Sequence, residues 1–312
     1  MEILQRIISV RYNKTIRFKI LATEWLEQKK NTIKQSTYCN YMFIIEKYLL
    51  PEFEEMRLKQ LEKYNYNKYI HDLSMILSKK TTRDIMNVLK AILKYTNSKY
   101  HTDVFIQDII LPKLEVSSLN ILNKKEKSRL IKHCFEENSL KSLGIIMCLN
   151  TGLRIGEICA LKWKDIDMEN RTINVKKTLQ RVYIEKKSSV IIDIPKTRTS
   201  IRSIPMSDKL YKILQPIQKH YKKEDFFLTG SQTKFLEPRS YQYIYKCILK
   251  ESNVKPYKFH ILRHTFATNC IEVGMDPKSL SEILGHSNVN ITLNRYVHSS
   301  YKIKKKYLEK LE

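Results

Sequence analysis

From about residue 14 to residue 100 the apolar residues recur every three or four positions, and this spacing restricts the stretch to a run of amphipathic helices. In Ile16–Gln28 the stripe is Phe18, Leu21, Trp25 and Leu26. In Thr37–Leu50 it is Tyr38, Tyr41, Ile44, Ile45 and Tyr48, and Pro51 is expected to end that helix. Thr81–Tyr95 repeats the pattern with Ile85, Val88, Leu89, Ile92 and Leu93. Lysines and arginines lie between the stripes, so the module is helical and basic.

The pattern fades across Asp108–Leu122, which contains Pro112, and this stretch reads as a linker. It is followed by Asn123-Lys124-Lys125-Glu126, which has the spacing of a capping box and opens a second domain. That domain mixes element types. Ser142–Asn150 is an apolar helix, with Gly152 placed to close it in a left-handed turn. Thr172–Val175, Val190–Pro195 and Ile201–Pro205 read as strands, the last two joined by the polar turn Lys196–Ser200 as a hairpin. Leu210–Tyr221, Tyr241–Glu251, His260–Val273 and Pro277–Leu284 read as helices, and Gly274 and Gly285 stand as stops. A short amphipathic helix is expected over Lys302–Leu311. The expected fold class is mainly α with a small β-sheet: a helical domain over residues 1–112, a linker over 113–122, a mixed domain over 123–298 and a tail helix over 299–312.

Charge narrows the partners. Lys and Arg number 57 against 32 Asp and Glu, a net charge of +25, which favours a polyanion, and above all a nucleic-acid backbone. The positive charge is spread along the chain and not gathered beside an anchor, which argues against a membrane surface. The longest clean apolar runs resemble Ile145–Leu149, far short of the ~20 residues of a membrane span. The six cysteines, Cys39, Cys134, Cys148, Cys159, Cys247 and Cys270, form no C-x-x-C pair, and most stand in apolar helical runs, as small core residues of a reducing compartment do. No secretory signal opens the sequence, so the expected location is the cytoplasm.

Several acidic groupings invite a metal reading and do not sustain it. Asp165 and Asp167 stand in a polar turn where carboxylates are ordinarily solvated, and Glu185-x-Lys187 is a commonplace triple in a Lys-rich chain. Four other segments carry more. In Thr151-Gly152-Leu153-Arg154-Ile155-Gly156-Glu157, Arg154 follows a helix stop and Glu157 is three residues on, within reach of the guanidinium. Pro195-Lys196-Thr197-Arg198-Thr199-Ser200-Ile201-Arg202 places a lysine at the tip of the expected hairpin. In His260-Ile261-Leu262-Arg263-His264, His260 and Arg263 share a helix face, while His264 falls on that side and could equally be a packing residue. Leu284-Gly285-His286 is followed ten residues later by Tyr296. Alone, one tyrosine among 19 would be core or surface.

Taken in order, arginine, turn lysine, H-x-x-R, L-G-H and tyrosine resemble the tyrosine recombinase family of phage and conjugative-transposon integrases. T-G-L-R-x-G-E, H-x-L-R-H-T-F-A-T and L-G-H-S-x-x-x-I-T-x-x-x-Y stand nearly intact between about residues 123 and 300. The preceding helical module resembles that family's core-site DNA-binding domain.

The resemblance implies cleavage and rejoining of DNA through a 3′-phosphotyrosyl link, without metal, ATP or other cofactor. It implies Tyr296 as nucleophile, Arg154 and Arg263 gripping the non-bridging oxygens, and Lys196 protonating the leaving 5′-oxygen. His260 is then a base or a phosphate hydrogen-bond donor, His286 binds phosphoryl oxygens, and Glu157 supports Arg154. The implied partners are double-stranded DNA and three further copies in a tetramer on paired sites, with a host bending protein or a directionality factor as accessory. Ile261 stands where many members have Asp, and only about 13 residues precede the first helix, which puts binding of distant arm sites in doubt. A Xer-type chromosome-dimer resolvase, a type IB topoisomerase and a non-catalytic DNA-binding relic remain as alternatives.

Overall fold

The apolar stripes of the first hundred residues become helices packed around one aromatic-rich core. In the computed structural model the described residues are 15–102, 104, 109–114, 120–184, 187–193, 201–296 and 309. The chain divides into two units, Met1–Ser117 with Val182–Ser189, and Ser118–Arg181 with Val190–Glu312.

In the first unit α1 (Phe18–Lys29), α2 (Gln35–Ile44), α3 (Leu50–Phe53), α4 (Leu58–Glu62), α5 (Tyr66–Ile76) and α6 (Lys79–Tyr100) follow one another. Phe18, Leu21, Trp25, Ile85, Leu89, Ile92 and Leu93 are all buried, as their spacing requires. Pro51 does not end the second helix. A π turn over Ile45–Leu49 carries the chain from α2 into α3, and Pro51 sits in the first turn of α3, where no amide hydrogen is needed. Phe53 packs at 5.0 Å on both Tyr64 and Tyr69. Two further helices complete the run: α4 is a single short turn, and α5 buries Tyr66, Tyr69, Ile70 and Leu73 at the same helical spacing.

The second unit opens on the expected capping box. Asn123 Oδ1 accepts from the Glu126 backbone amide at 2.9 Å, and Glu126 Oε2 accepts from that of Asn123 at 3.0 Å. Then come α7 (Lys124–Glu137), α8 (Leu140–Thr151), α9 (Ile155–Ala160), α10 (Asp208–Gln218), α11 (Pro238–Glu251), α12 (His260–Glu272), α13 (Pro277–Leu284) and α14 (Val289–Tyr296). Among the described residues the strands form two ladders. β1 (Ile166–Asp167), β2 (Thr172–Val175) and β5 (Arg202–Pro205) make an antiparallel sheet in the order β1-β2-β5, and β3 (Thr178–Ile184) pairs with β4 (Lys187–Asp193). The expected hairpin of Val190–Pro195 with Ile201–Pro205 is therefore corrected. The first run pairs with β3 and the second with β2. The chain is thus mainly helical with a small β component.

The cysteines are free, and all but the half-buried Cys247 are buried. Among the described residues no helix is long and apolar enough to cross a membrane. The expected tail helix, Lys302–Leu311, lies outside the described residues apart from Glu309.

Candidate active site

Two glycines shape the segment that carries Arg154. Gly152, at φ 67°, closes α8 in the left-handed region, and a Cβ there would stand 2.7 Å from Leu284 and Phe266. Gly156 allows α9 to lie directly on β3, where a Cβ would come within 2.5 Å of the Leu179 carbonyl oxygen. Between them Arg154 becomes the N-cap of α9. Glu157 Oε2 accepts from the Arg154 backbone amide at 2.9 Å, and Glu157 Oε1 accepts from Arg154 Nη1 at 2.7 Å.

Glu157 is only 3% exposed and serves a second guanidinium as well. Arg202, on β5, donates through Nη1 and Nη2 to the two carboxylate oxygens at 3.1 and 2.9 Å. Burial pushes the carboxyl pKa up, but Arg202 and Arg154 outweigh it and hold it at about 2. One carboxylate thus stands between two fixed cations, and positive charge is left over.

The third guanidinium, Arg263, is buried on the first turns of α12. It donates to the Gly152 carbonyl at 2.9 Å and the Leu284 carbonyl at 2.8 Å, tying the C-terminal ends of α8 and α13 together. Burial and the like charge of Arg154 push its pKa down to about 9, so it remains a cation at neutral pH. The end of α13 receives all three arginines. Arg202 Nε donates to the Ile283 carbonyl at 2.5 Å, Arg263 to that of Leu284, and Arg154 Nη2 to that of Gly285 at 3.1 Å. These are the carbonyls left without helical partners, at the negative end of the helix dipole.

Gly285 ends α13 at φ 64°, and the His286 amide donates back to the Ser281 carbonyl at 3.0 Å, a closure that fixes the His286 backbone. His286 Nδ1 meets the buried Thr292 hydroxyl of α14 at 2.7 Å. Burial and the surrounding arginines, Arg263 and Arg154 foremost, lower its pKa to about 3.

Tyr296 ends α14 with its ring in a small apolar cluster beside Ala267, Leu280 and Leu284. It is 5% exposed, its ring lies parallel to that of His286 at 6.4 Å, and its hydroxyl meets His264 Nδ1 at 2.8 Å. Burial raises the phenol pKa, while the charges of Arg263 and Arg295 oppose the rise. His264 is itself lowered to about 4 by burial, Arg295 and Arg263. His260 meets His264 edge-on, with ring centroids 4.6 Å apart. It remains exposed to solvent, and the protein crowded around it, together with His264, Arg263, Arg295 and Arg154, lowers its pKa.

Of the residues singled out from the sequence, Arg154, Glu157, Arg263, His286, Tyr296 and, through His264, His260 come together here. Lys196 lies outside the described residues. Asp165 and Asp167 stand apart, the first accepting from the Lys162 amide and the second from Asn170, each within its own turn. Two residues of the constellation were not assigned from the sequence. Arg202 stands in the sequence only as the last residue of the lysine segment, and its strand position gives no sign that it shares a carboxylate with Arg154. His264 reads in the sequence as equally suited to packing and to function, and only the fold brings α14 against its ring.

Comparison with known proteins places the chain in a family. The model of the phage integrase family matches residues 120–302, and the phage integrase N-terminal SAM-like domain matches residues 17–74. The chain belongs to the phage integrase family. It is a tyrosine recombinase, an enzyme of DNA strand cleavage and rejoining. Among its relatives is a tyrosine recombinase XerC-like protein of Caldanaerobacter subterraneus subsp. tengcongensis, 28% identical over 92% of this chain and 80% of that protein. The ICEBs1 integrase of Bacillus subtilis is 24% identical over 97% and 84%. The transposase of transposon Tn916 from Enterococcus faecalis is 31% identical over 50% of this chain and 42% of that protein. The Tn1549 transposon integrase, solved in complex with circular intermediate DNA, superposes with a TM-score of 0.73 at 25% identity, covering 95% of this chain and all of that one.

Proposed function

We propose that this chain is a site-specific integrase that inserts or excises a mobile element, with Tyr296 as its nucleophile. The observation that carries the reading is the Tyr296 hydroxyl, held 2.8 Å from an imidazole beside a guanidinium cluster that a single carboxylate only partly neutralises. A phenol has an ordinary pKa of about 10 and attacks phosphorus only when positioned and relieved of its proton. Arg154 and Arg263 bind the non-bridging oxygens of the scissile phosphate, and their fixed charge meets the charge that builds up there in the transition state. His286 and His260 add hydrogen bonds to the same oxygens. Lys196 gives its proton to the departing 5′-oxygen. Glu157 keeps Arg154 in place. The bond energy stays in the phosphotyrosine, and a 5′-hydroxyl from the partner strand reverses the attack.

The proposed division of labour follows the chain. Residues 1–112 hold core-site DNA through phosphate contacts from the basic helices, residues 113–122 link, residues 123–298 cut and rejoin, and residues 299–312 form a tail that docks on a neighbouring protomer. Double-stranded DNA is the partner, a tetramer on two paired sites is the working assembly, and a host bending protein or directionality factor assists. The Tn1549 integrase was solved on transposon circular-intermediate DNA, which supports a mobile-element substrate over a chromosomal one. The expected location is the cytoplasm.

The test is a covalent-adduct assay on a nicked recombination site. Wild type forms an adduct and is indifferent to chelators. Tyr296→Phe binds the site normally and forms none. An adduct that persists in Tyr296→Phe refutes the assignment.

A further inference from the structure

We propose that His264, and not His260, takes the proton from Tyr296 when the nucleophile attacks and returns it when the strands are rejoined. The inference rests on the reading of Tyr296 as nucleophile. Three observations carry it. First, His264 Nδ1 stands 2.8 Å from the phenol oxygen, inside the range for proton transfer without rearrangement, and the other side chain that bonds this oxygen, Arg263, is a donor and no base. Second, Tyr296 and His264 are both buried, at 5% and 9% exposure, so bulk water does not compete for the phenol proton. Third, a second imidazole separates His264 from solvent. His260 lies one helical turn before His264 on α12, meets its ring edge-on at 4.6 Å, and is open to solvent. A proton on His264 is thus one ring away from water.

The groups acting on His264 set its state. From its own helix these are His260 and Arg263, and from α14 Arg295 and Tyr296. Burial first, and then Arg295 and Arg263, keep the imidazole neutral at physiological pH, with Nδ1 free to accept once the hydrogen is on Nε2. The phenol then donates to His264, which leaves the oxygen lone pairs to Arg263 and the phosphate.

The step balances as follows. The Tyr296 O–H bond breaks and its proton joins His264 Nδ1, giving an imidazolium. The phenolate electron pair forms the new O–P bond while the bond from phosphorus to the 5′-oxygen breaks, and that oxygen takes a proton from the Lys196 ammonium. On rejoining, a 5′-hydroxyl gives its proton to the Lys196 amine, its oxygen bonds to phosphorus, and the released phenolate recovers the proton from His264. No oxidant, metal or nucleotide enters.

Asparagine at position 264 places an amide where Nδ1 stands, so it keeps the hydrogen bond and the packing but is no base. Single-turnover adduct formation on a nicked site is the readout. His264→Asn should bind the site as wild type does and lose about 10²–10⁴-fold in adduct rate, the scale of a lost general base. The rate of the variant should rise tenfold per pH unit from pH 6 to 9, where wild type is flat. Replacing Tyr296 by a fluorotyrosine of lower pKa should restore the variant by more than tenfold while changing wild type by less than threefold. His260→Asn should lack both signatures. A His264→Asn rate within threefold of wild type overturns the proposal. So does a loss that neither pH nor fluorotyrosine repairs, which would make His264 a positioning residue only. His264→Gln, scored for a native melting transition, separates a folding defect from loss of the base. An adduct formed by Tyr296→Phe would instead overturn the nucleophile assignment beneath it.

Discussion

Replacing Arg202 by methionine removes one of the two cations that make a buried Glu157 tolerable. The side chains of Arg202 and Glu157 are 5% and 3% exposed. Deleting one partner of a buried ion pair costs about 3–5 kcal/mol, most of it the desolvation of the charge left behind. Glu157 keeps Arg154 Nη1 and the Arg154 amide, which places the loss at the lower end, about 3 kcal/mol. For a unit of this size each kcal/mol moves the melting temperature by roughly 2–4 °C, so a fall of about 6–12 °C is expected. Calorimetry and urea denaturation measure it. The control is Arg171→Met, which breaks an ion pair with Asp208 whose partners are 52% and 81% exposed, and should cost about 1 kcal/mol or less. In a Glu157→Gln background the Arg202→Met step should cost at least about 1.5 kcal/mol less than in wild type, since the stranded charge is gone. Arg202→Lys should not restore stability, because an ammonium cannot bond both carboxylate oxygens and the Ile283 carbonyl in one plane. If Arg202→Met melts no lower than Arg171→Met, or the two backgrounds give the same cost, the shared carboxylate is not what holds the arginines and the electrostatic account of the site is wrong.

Gly156→Ala should abolish cleavage and lower stability by more than about 2 kcal/mol, because the Cβ meets the Leu179 carbonyl oxygen as well as the Thr178 hydroxyl, and the backbone atom cannot rotate aside; a melting curve and the adduct assay check it. Acid should weaken the second unit in a defined window. His264 binds its proton near pH 4 when folded and near 6.5 when unfolded, so its contribution, at most about 3 kcal/mol, is complete above pH 6.5 and lost as pH falls toward 4. Urea titrations at half-unit steps should therefore show a slope between pH 6.5 and 4 that becomes shallower in His264→Asn, the part that remains belonging to the lowered His286 and His260. Lys196→Ala should cleave ordinary DNA poorly but a site with sulfur at the bridging 5′ position well, since a thiolate leaves without a proton; no rescue would assign the acid elsewhere. Deleting the residues before Leu122 should flatten the plot of log K against log salt by about 0.9 per lost phosphate contact, measured by fluorescence anisotropy.

What could be read from the sequence was what is local. Asn123 and Glu126 announce the start of α7 because both partners of the capping box lie within one turn. Pro277 and Gly285 bracket α13 because each acts on its own backbone. Arg154 and Glu157 are three residues apart and could be paired on paper. Pairing across the chain was not legible. β4 and β5 are close in sequence, yet they join different ladders, a choice made by registers with β3 and β2 that no local pattern encodes. Arg202 reaches Glu157 across 45 residues and His264 reaches Tyr296 across 32, so both roles emerge only once the helices are packed. Pro51 misled for a related reason: its usual effect presumes regular α geometry before it, and the π turn removes that premise.

The acceptors at Ile283, Leu284 and Gly285 belong to the main chain, and this bears on how the site can vary. A side-chain substitution can delete a carboxylate or a hydroxyl, but none of the twenty residues lacks a carbonyl. The three arginines are therefore tethered to atoms the genetic code cannot remove. Mutational scans across positions 283–285 will register bulk and the left-handed turn, and will be blind to the tether itself. Only a backbone ester, which weakens one acceptor, removes the next amide hydrogen and leaves the side chain unchanged, would make it visible. A lineage of such enzymes is free to change the residues at the end of this helix so long as the chain still turns there, and the cations stay moored through every change.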